Sequence, residues 1–188
     1  MSDKYDPNIH HRRSVRLPAY DYSQDGWYFI TICTQDKKCL FGQFANGHIQ
    51  LSEYGCIVDK CWKWLAQQYD YVRLNQYVIM PNHLHGIIII RRGSSRTAPL
   101  MTYIGGSRTA PPPNMPKRKS LPRLIGAFKT TSTKQINIFR HKPGYKLWQR
   151  NYYEHIIRSE EELYNIRQYI IDNPARWQTD KENPNMNT

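Results

Sequence analysis

The chain has 188 residues, of which 39% are hydrophobic and 13% aromatic, and a formal net charge of +12. That size suits one domain, or one domain with tails, and it can bury a core without staples. Four cysteines (Cys33, Cys39, Cys56 and Cys61) form no CxxC pair, and the longest apolar run, 78–90, is broken by Pro81, Asn82, His83 and His85. A disulfide framework and a membrane-spanning helix are therefore not expected; with no signal peptide, the cysteines read as thiols of a reducing, cytoplasmic setting.

The charge is unevenly placed. Residues 91–150 hold fourteen Lys or Arg and no Asp or Glu, so the remainder nets −2. A stretch of that length without an acid reads as a surface for a polyanion rather than a generic solvated face. No strongly amphipathic basic helix stands out, which argues against a membrane surface as the partner.

In chain order, residues 1–20 are polar and basic and read as a loosely ordered arm. Gly26 releases 27-WYFITICT-34, dense in aromatic and β-branched residues, which predicts a central strand. Residues 35–50 read as turns with a short hairpin around 46-NGH-48. From Ser52 the pattern becomes helical, with Ile57, Cys61 and Leu65 at four-residue spacing and Trp62 beside them. Two strands follow, 71-YVRLNQYVI-79 and 84-LHGIIIIR-91, joined by 80-MPNH-83 as an antiparallel hairpin. Residues 92–119 carry an imperfect repeat, 95-SRTAP-99 and 107-SRTAP-111, and read as a flexible basic insertion.

Ser120 can cap a second helix with Pro122 in its first turn, Leu124, Phe128 and Ile136 facing inward and Lys129 and Lys134 outward. The stretch 147-LWQRNYYEHII-157 reads as a strand. Then 159-SEEELYNIRQYIIDNP-174 predicts a helix: Ser159 and Glu162 form a capping box, acids fill the first turn, Leu163, Ile166 and Ile170 make an apolar stripe, and Pro174 ends it. The tail from Gln178 is polar and expected to fray. The order βαββαβ plus a final helix predicts an α+β fold on the ferredoxin-like split β-α-β plan. Its four-stranded antiparallel sheet has two helices on one face, with the strands at 27–34 and 84–91 as the central pair.

The chemistry starts at 83-HLH-85. Alternate side chains of a strand share a face, so His83 and His85 present two imidazoles together, suited to a metal. A catalytic metal wants a third protein ligand and an open position. Tyr169 and Asn173 are four apart on the last helix and share a face. Asn173 offers a carbonyl oxygen to a hard divalent ion, Mg²⁺ or Mn²⁺, and Tyr169 would sit beside it. That set suits attack of a phenol oxygen on a DNA phosphate, with the basic stretch holding the strand. The DNA-binding candidates are Arg12, Arg13, Arg16, Arg91, Arg92, Lys117, Arg118, Lys119, Arg123, Lys129 and Arg150.

These residues also carry a family likeness. The features 81-PNHLH-85, 12-RRSVRLPAYDYSQDGWYFITICT-34, 148-WQRNYYEHIIRSEEE-162 and 169-YIIDNP-174 resemble the IS200-like His-hydrophobe-His tyrosine transposases. Within that class the chain looks most like the branch associated with repetitive extragenic palindromes (REP elements) in bacteria. The likeness covers residues 12–177. It implies a ferredoxin-like catalytic domain at 21–177, with residues 1–20 as an arm, 92–119 as an insertion and 178–188 as a tail. It implies binding of single-stranded or hairpin DNA, and cleavage and rejoining through a 5′-phosphotyrosine with a divalent metal. His83, His85 and Asn173 would be ligands and Tyr169 the nucleophile, in a monomer or a homodimer, associated with the bacterial nucleoid. Many relatives carry Gln where Asn173 stands, a longer side chain.

Plainer readings exist for each residue. The histidines can be structural beside a turn, and Tyr169 can be one more packing tyrosine among 14. Asn173 can cap the helix end, 117-KRK-119 can be a solvated loop, Trp148 can fill core, and His155 can serve structure or DNA. Two further functions compete. One is a non-catalytic nucleic-acid binding module, which the fold plan and charge would allow. The other is a metal-dependent hydrolase that releases free ends, against which the scarcity of carboxylates near the proposed site already counts.

Overall fold

The computed structural model describes residues 20–45, 47–91 and 118–184. Its elements are β1 (Gly26–Cys33), β2 (Gly42–Ala45), β3 (His48–Leu51), α1 (Glu53–Gln68), β4 (Val72–Ile79), β5 (His83–Ile90), α2 (Leu121–Phe139), β6 (Tyr153–Ile157) and α3 (Glu160–Asp172). The main sheet has the order β4-β5-β1-β6 with every pair antiparallel, so β1 and β5 are its central strands, as the ferredoxin-like plan requires. The hairpin β2–β3 forms a separate small sheet, in the place where 46-NGH-48 predicts a turn.

The alternation of side chains along β1 and β5 sorts the molecule into two layers of core. Tyr28, Ile30 and Ile32 of β1 and Leu84, Ile88 and Ile90 of β5 share one cluster with Trp62 and Leu65 of α1 and Leu124 and Phe128 of α2. Trp27 and Phe29 of β1 and Ile87 and Ile89 of β5 share the other with Leu163 and Ile170 of α3. All eight residues of β5 are buried because helices cover both faces. Full burial of each large apolar side chain contributes about 2 kcal/mol, so this strand is where much of the stabilisation concentrates. His83 and His85 have the parity of Ile87 and Ile89. The fold therefore aims both imidazoles at the α3 side.

Gly86 follows the two histidines, on the opposite face of the strand, for a steric reason. A Cβ there would lie 2.7 Å from the ring of Trp62 and 3.1 Å from Cβ of Tyr77. The bare backbone lets the buried indole of α1 approach β5 closely.

Helix starts follow their sequence signals in part. Ser52 caps α1, its hydroxyl accepting from the Gly55 N–H and donating to the Leu40 carbonyl. Ser159 caps α3 by accepting from the Glu162 N–H, but the Glu162 carboxylate turns back one residue further than a capping box predicts, accepting from the Arg158 N–H and pairing with His155. Ser120 stands at the start of α2 with no side-chain cap bond.

Three expectations change. His83 belongs to β5 rather than to the connecting turn. The strand expected over 147–157 is only β6, preceded by an isolated bridge between Trp148 and Thr34. In the irregular stretch between them Lys129, expected to point outward, turns in: its ammonium donates to the carbonyls of Gln149, Arg150 and Asn151, which are thus satisfied outside any ladder. Burial then pushes that amine down to about 8. Finally, the tail does not fray at Gln178. A 3-10 turn at Pro174–Thr179 buries Trp177, and the chain continues across the end of the sheet to residue 184. The polar composition of this segment hides its role because its polar groups bond inward. The arm at 1–19, most of the 92–119 insertion and Asn46 lie outside the described residues.

Candidate active site

The site lies where β1 ends and β5 begins. His85 is registered opposite Thr31 and His83 opposite Cys33. Both rings are buried, and their Nε2 atoms converge to 3.0 Å. Each Nδ1 has its own partner: Asn82 Oδ1 at 2.8 Å for His83 and Thr31 Oγ1 at 2.8 Å for His85. Asn82 can only accept from His83, because its amide nitrogen donates to the carbonyls of Lys37 and Glu182. The hydrogen of His83 is thereby fixed on Nδ1, and the Nε2 lone pair faces the site.

Burial makes both rings poor bases. It pushes His83 down to about 3, with Lys37 and Lys181 adding to the effect, and it pushes His85 well below its ordinary value, with His83 adding. Neutral imidazoles are the form that ligates a metal.

Tyr169 comes from the last turns of α3. Its hydroxyl lies 3.3 Å from His85 Nε2, and its ring meets those of His85 and Phe29 edge-on. Burial raises its pKa, and Asp180 raises it further, while the Asn173 side chain and Arg176 act in the opposite direction. The phenol is thus protonated at neutral pH. Tyr169 also lines a groove of about 690 Å³ shared with Phe29, Tyr153, Arg158, Glu161, Glu162 and Asn165.

The tail adds a residue that the sequence reading missed. Asp180 is buried, and one of its carboxylate oxygens lies 3.8 Å from His83 Nε2. Ligand atoms of His83, His85 and Asp180 all fall within 4.8 Å of one another. Burial raises the Asp180 carboxyl, with Glu182 acting in the same sense. The donor chemistry fits a divalent ion: two neutral imidazoles with their second nitrogens anchored, and one acid. Asn173 is also buried, and its Oδ1 has no hydrogen-bond partner in the structure. An unsatisfied buried carbonyl oxygen is costly unless something electropositive meets it. The group of His83, His85 and Asp180 could bind a metal ion.

No family model matches the chain. An uncharacterised protein of Haemophilus influenzae is 39% identical over 181 residues, spanning 96% of this chain and 98% of the relative. A second Haemophilus influenzae protein, named "Putative REP-associated tyrosine transposase", is 24% identical over 156 residues, spanning 83% of this chain and 74% of its own length. A solved structure, described as the REP-associated tyrosine transposase bound to a REP hairpin, shares the fold. Its TM-score is 0.57 at 15% identity, and the match covers 86% of this chain and 73% of that one. The chain thus resembles a REP-associated tyrosine transposase in sequence, at 24% identity, and shares the fold of another.

The basic residues expected to contact DNA do not fall in one place. Arg118 pairs with Asp25 and lies over the Tyr71 ring, and Lys119 donates to the Tyr69 hydroxyl. The Arg91 N–H bonds the Tyr71 carbonyl. These residues, and Arg123 in the first turn of α2, gather at the far end of β5 from His83, about 23 Å along the strand at ~3.3 Å per residue. Lys129 and Arg150 lie at the active-site end, joined through the Arg150 carbonyl. Arg12, Arg13, Arg16, Arg92 and Lys117 lie outside the described residues. His155 serves structure, paired with Glu162, and Trp148 fills core, its indole donating to the Ser132 hydroxyl. The signal for Asp180 was faint: one acid after a tryptophan, just beyond the helix-ending Asn173-Pro174.

Proposed function

We propose that this protein cleaves and rejoins single-stranded DNA, with Tyr169 as nucleophile, in transposition or in the processing of palindromic repeats. The observation that carries the reading is the approach of the Tyr169 hydroxyl to the converged Nε2 atoms of His85 and His83. The name of one relative and the description of the hairpin-bound fold relative point the same way.

His83, His85 and Asp180, with Asn173 beside them, would hold the ion, Mg²⁺ or Mn²⁺. When bound, it supplies Lewis acidity to the scissile phosphate and charge that favours the phenolate. The chain's own residues do the remainder. Asn82 and Thr31 orient the imidazoles. Phe29 and His85 fix the phenol ring, whose oxygen attacks phosphorus. The new bond joins Tyr169 to the 5′ phosphate, the bond to the 3′ oxygen breaks, the phenol gives up its proton and the 3′ oxygen leaves as a hydroxyl after taking one. No water is consumed, so the reverse attack by a 3′ hydroxyl rejoins the strand. His85 Nε2 cannot both ligate and accept the phenolic proton, so its contact with Tyr169 is one of position. All of these groups come from one chain, which supports a site assembled within a protomer of either a monomer or a homodimer.

The test is a denaturation-resistant adduct with labelled hairpin-bearing single-stranded DNA, chosen from sequence flanking the gene, in Mg²⁺ or Mn²⁺. The unmutated protein should form it and Tyr169→Phe should not. Cleavage to free ends without an adduct would indicate a hydrolase instead, and tight binding insensitive to chelator without cleavage would indicate a binding module.

A further inference from the structure

A second groove lies on the α2 side of the sheet, away from the His pair. It has a volume of about 990 Å³ and runs between the C-terminal half of α2 and residues 143–150. Its walls carry Lys129, Lys134, His141, Lys146 and Arg150, and no acid. Tyr145 stands at its edge, 52% exposed, with Ile138 nearby at 64%.

The loop that presents Tyr145 is built rather than slack. Asn137 and Arg140 both donate to the Tyr145 carbonyl, and Arg140 is itself held on the Asn137 oxygen at 2.9 and 2.6 Å. The Arg140 guanidinium lies 4.5 Å from the centre of the Tyr145 ring. His141 (φ 54°) and Gly144 (φ 77°) take left-handed conformations that turn the chain tightly on either side of Pro143. A half-exposed aromatic on a pinned backbone, backed by a cation and ringed by lysines, is the arrangement that stacks an unpaired base and holds its phosphates.

The groove also connects to the active site. Its floor, Trp148 and Gln149, is tied to the end of β1: Trp148 bridges Thr34, and the Gln149 N–H donates to the Cys33 carbonyl. Cys33 is the register partner of His83. The groove and the imidazoles thus share one end of the sheet, on its two sides.

We propose that this groove binds the unpaired DNA strand adjoining the scissile phosphate, with Tyr145 stacked on a base and Lys134, Lys146 and Arg150 against phosphates. The proposal rests on the DNA-processing reading above, but its test needs no chemistry. Anisotropy titrations in chelator would compare a short oligothymidine, its RNA counterpart and a blunt hairpin without flanks. Tyr145→Ala should weaken oligothymidine binding about tenfold, Tyr145→Phe should keep it, and the blunt hairpin should bind all three proteins alike. Lys146→Ala and Arg150→Ala should each lower the salt dependence of oligothymidine binding by about 0.7 in the log–log slope. Equal losses on the hairpin, no loss on oligothymidine, or a loss confined to the RNA would overturn the proposal. Adduct formation by Tyr169 is read separately: intact oligothymidine binding without an adduct defeats the cleavage reading alone, and an adduct with Tyr145-independent binding defeats the groove alone.

Discussion

Thr31 Oγ1 meets His85 Nδ1 at 2.8 Å directly across the central β1–β5 pair. The ring that faces Tyr169 is therefore steered by a neighbouring strand rather than by its own. Thr31→Val keeps the shape and removes the hydrogen bond. Mn²⁺ affinity by calorimetry should fall roughly 10- to 100-fold, the usual cost of losing an outer partner of a metal-binding histidine. An unchanged affinity would mean that packing against Phe29 alone orients the ring.

Asp180 and Asn173 compete for the place of third ligand, and substitution separates them. Asp180→Ala should cost metal affinity at least tenfold, since it removes the only acid within 4.8 Å of both imidazoles among the described residues. Asn173→Ala should cost less affinity, and it should also shift Tyr169, whose pKa the Asn173 side chain pulls down. A spectrophotometric titration of the phenol reads the second effect. If Asn173→Ala proves the more damaging to metal binding, the assignment of Asp180 reverses.

The His pair makes the metal-free protein acid-sensitive. Burial holds the His83 ring at about 3, against an ordinary value of 6.5. Between those values the unfolded chain takes up a proton that the folded ring refuses, so stability falls as pH drops from 6.5 towards 3 and is flat above. The total loss for one such ring is on the order of a few kcal/mol. Asp180 works in the opposite sense, because its raised carboxyl accepts a proton more readily when folded. Denaturant midpoints in chelator should decline from pH 7 to pH 5. Asp180→Asn should make the decline steeper.

Gly86→Ala tests the contact beneath the histidines. The added methyl would sit 2.7 Å from the buried Trp62 ring. Overpacking of this kind costs about 1–3 kcal/mol. A thermal melt should show it, and Trp62→Leu in the same chain should recover part of the loss. Independent, additive losses would show that the indole is not the obstacle.

Much of this was legible beforehand because it rests on local pattern. The aromatic and β-branched run at 27–33, the capped stripe of α3 and the parity of His83 and His85 each fix an element and a face without knowledge of the rest. The placement of Tyr169 and Asn173 at the end of α3 followed from helical spacing. What escaped was non-local. Asp180 reaches the site because Trp177 buries and Asn82 takes the Glu182 carbonyl, and a polar tail gives no sign of either. Lys129 looked solvated because its three acceptors lie twenty and more residues onward, in a segment whose own pattern argued for a strand. The split of the basic residues between two ends of β5 needed the register of the sheet.

Asn82 leaves one consequence. Its amide has two acceptors, and one of them, the Glu182 carbonyl, arrives from the chain's last described turn. Were that acceptor withdrawn, the amide could rotate and offer His83 a donor in place of an oxygen. The imidazole would then carry its hydrogen on the nitrogen that now faces Asp180. The chemistry of a ring at the start of a central strand is thus written partly by a backbone oxygen a hundred residues later in the sequence.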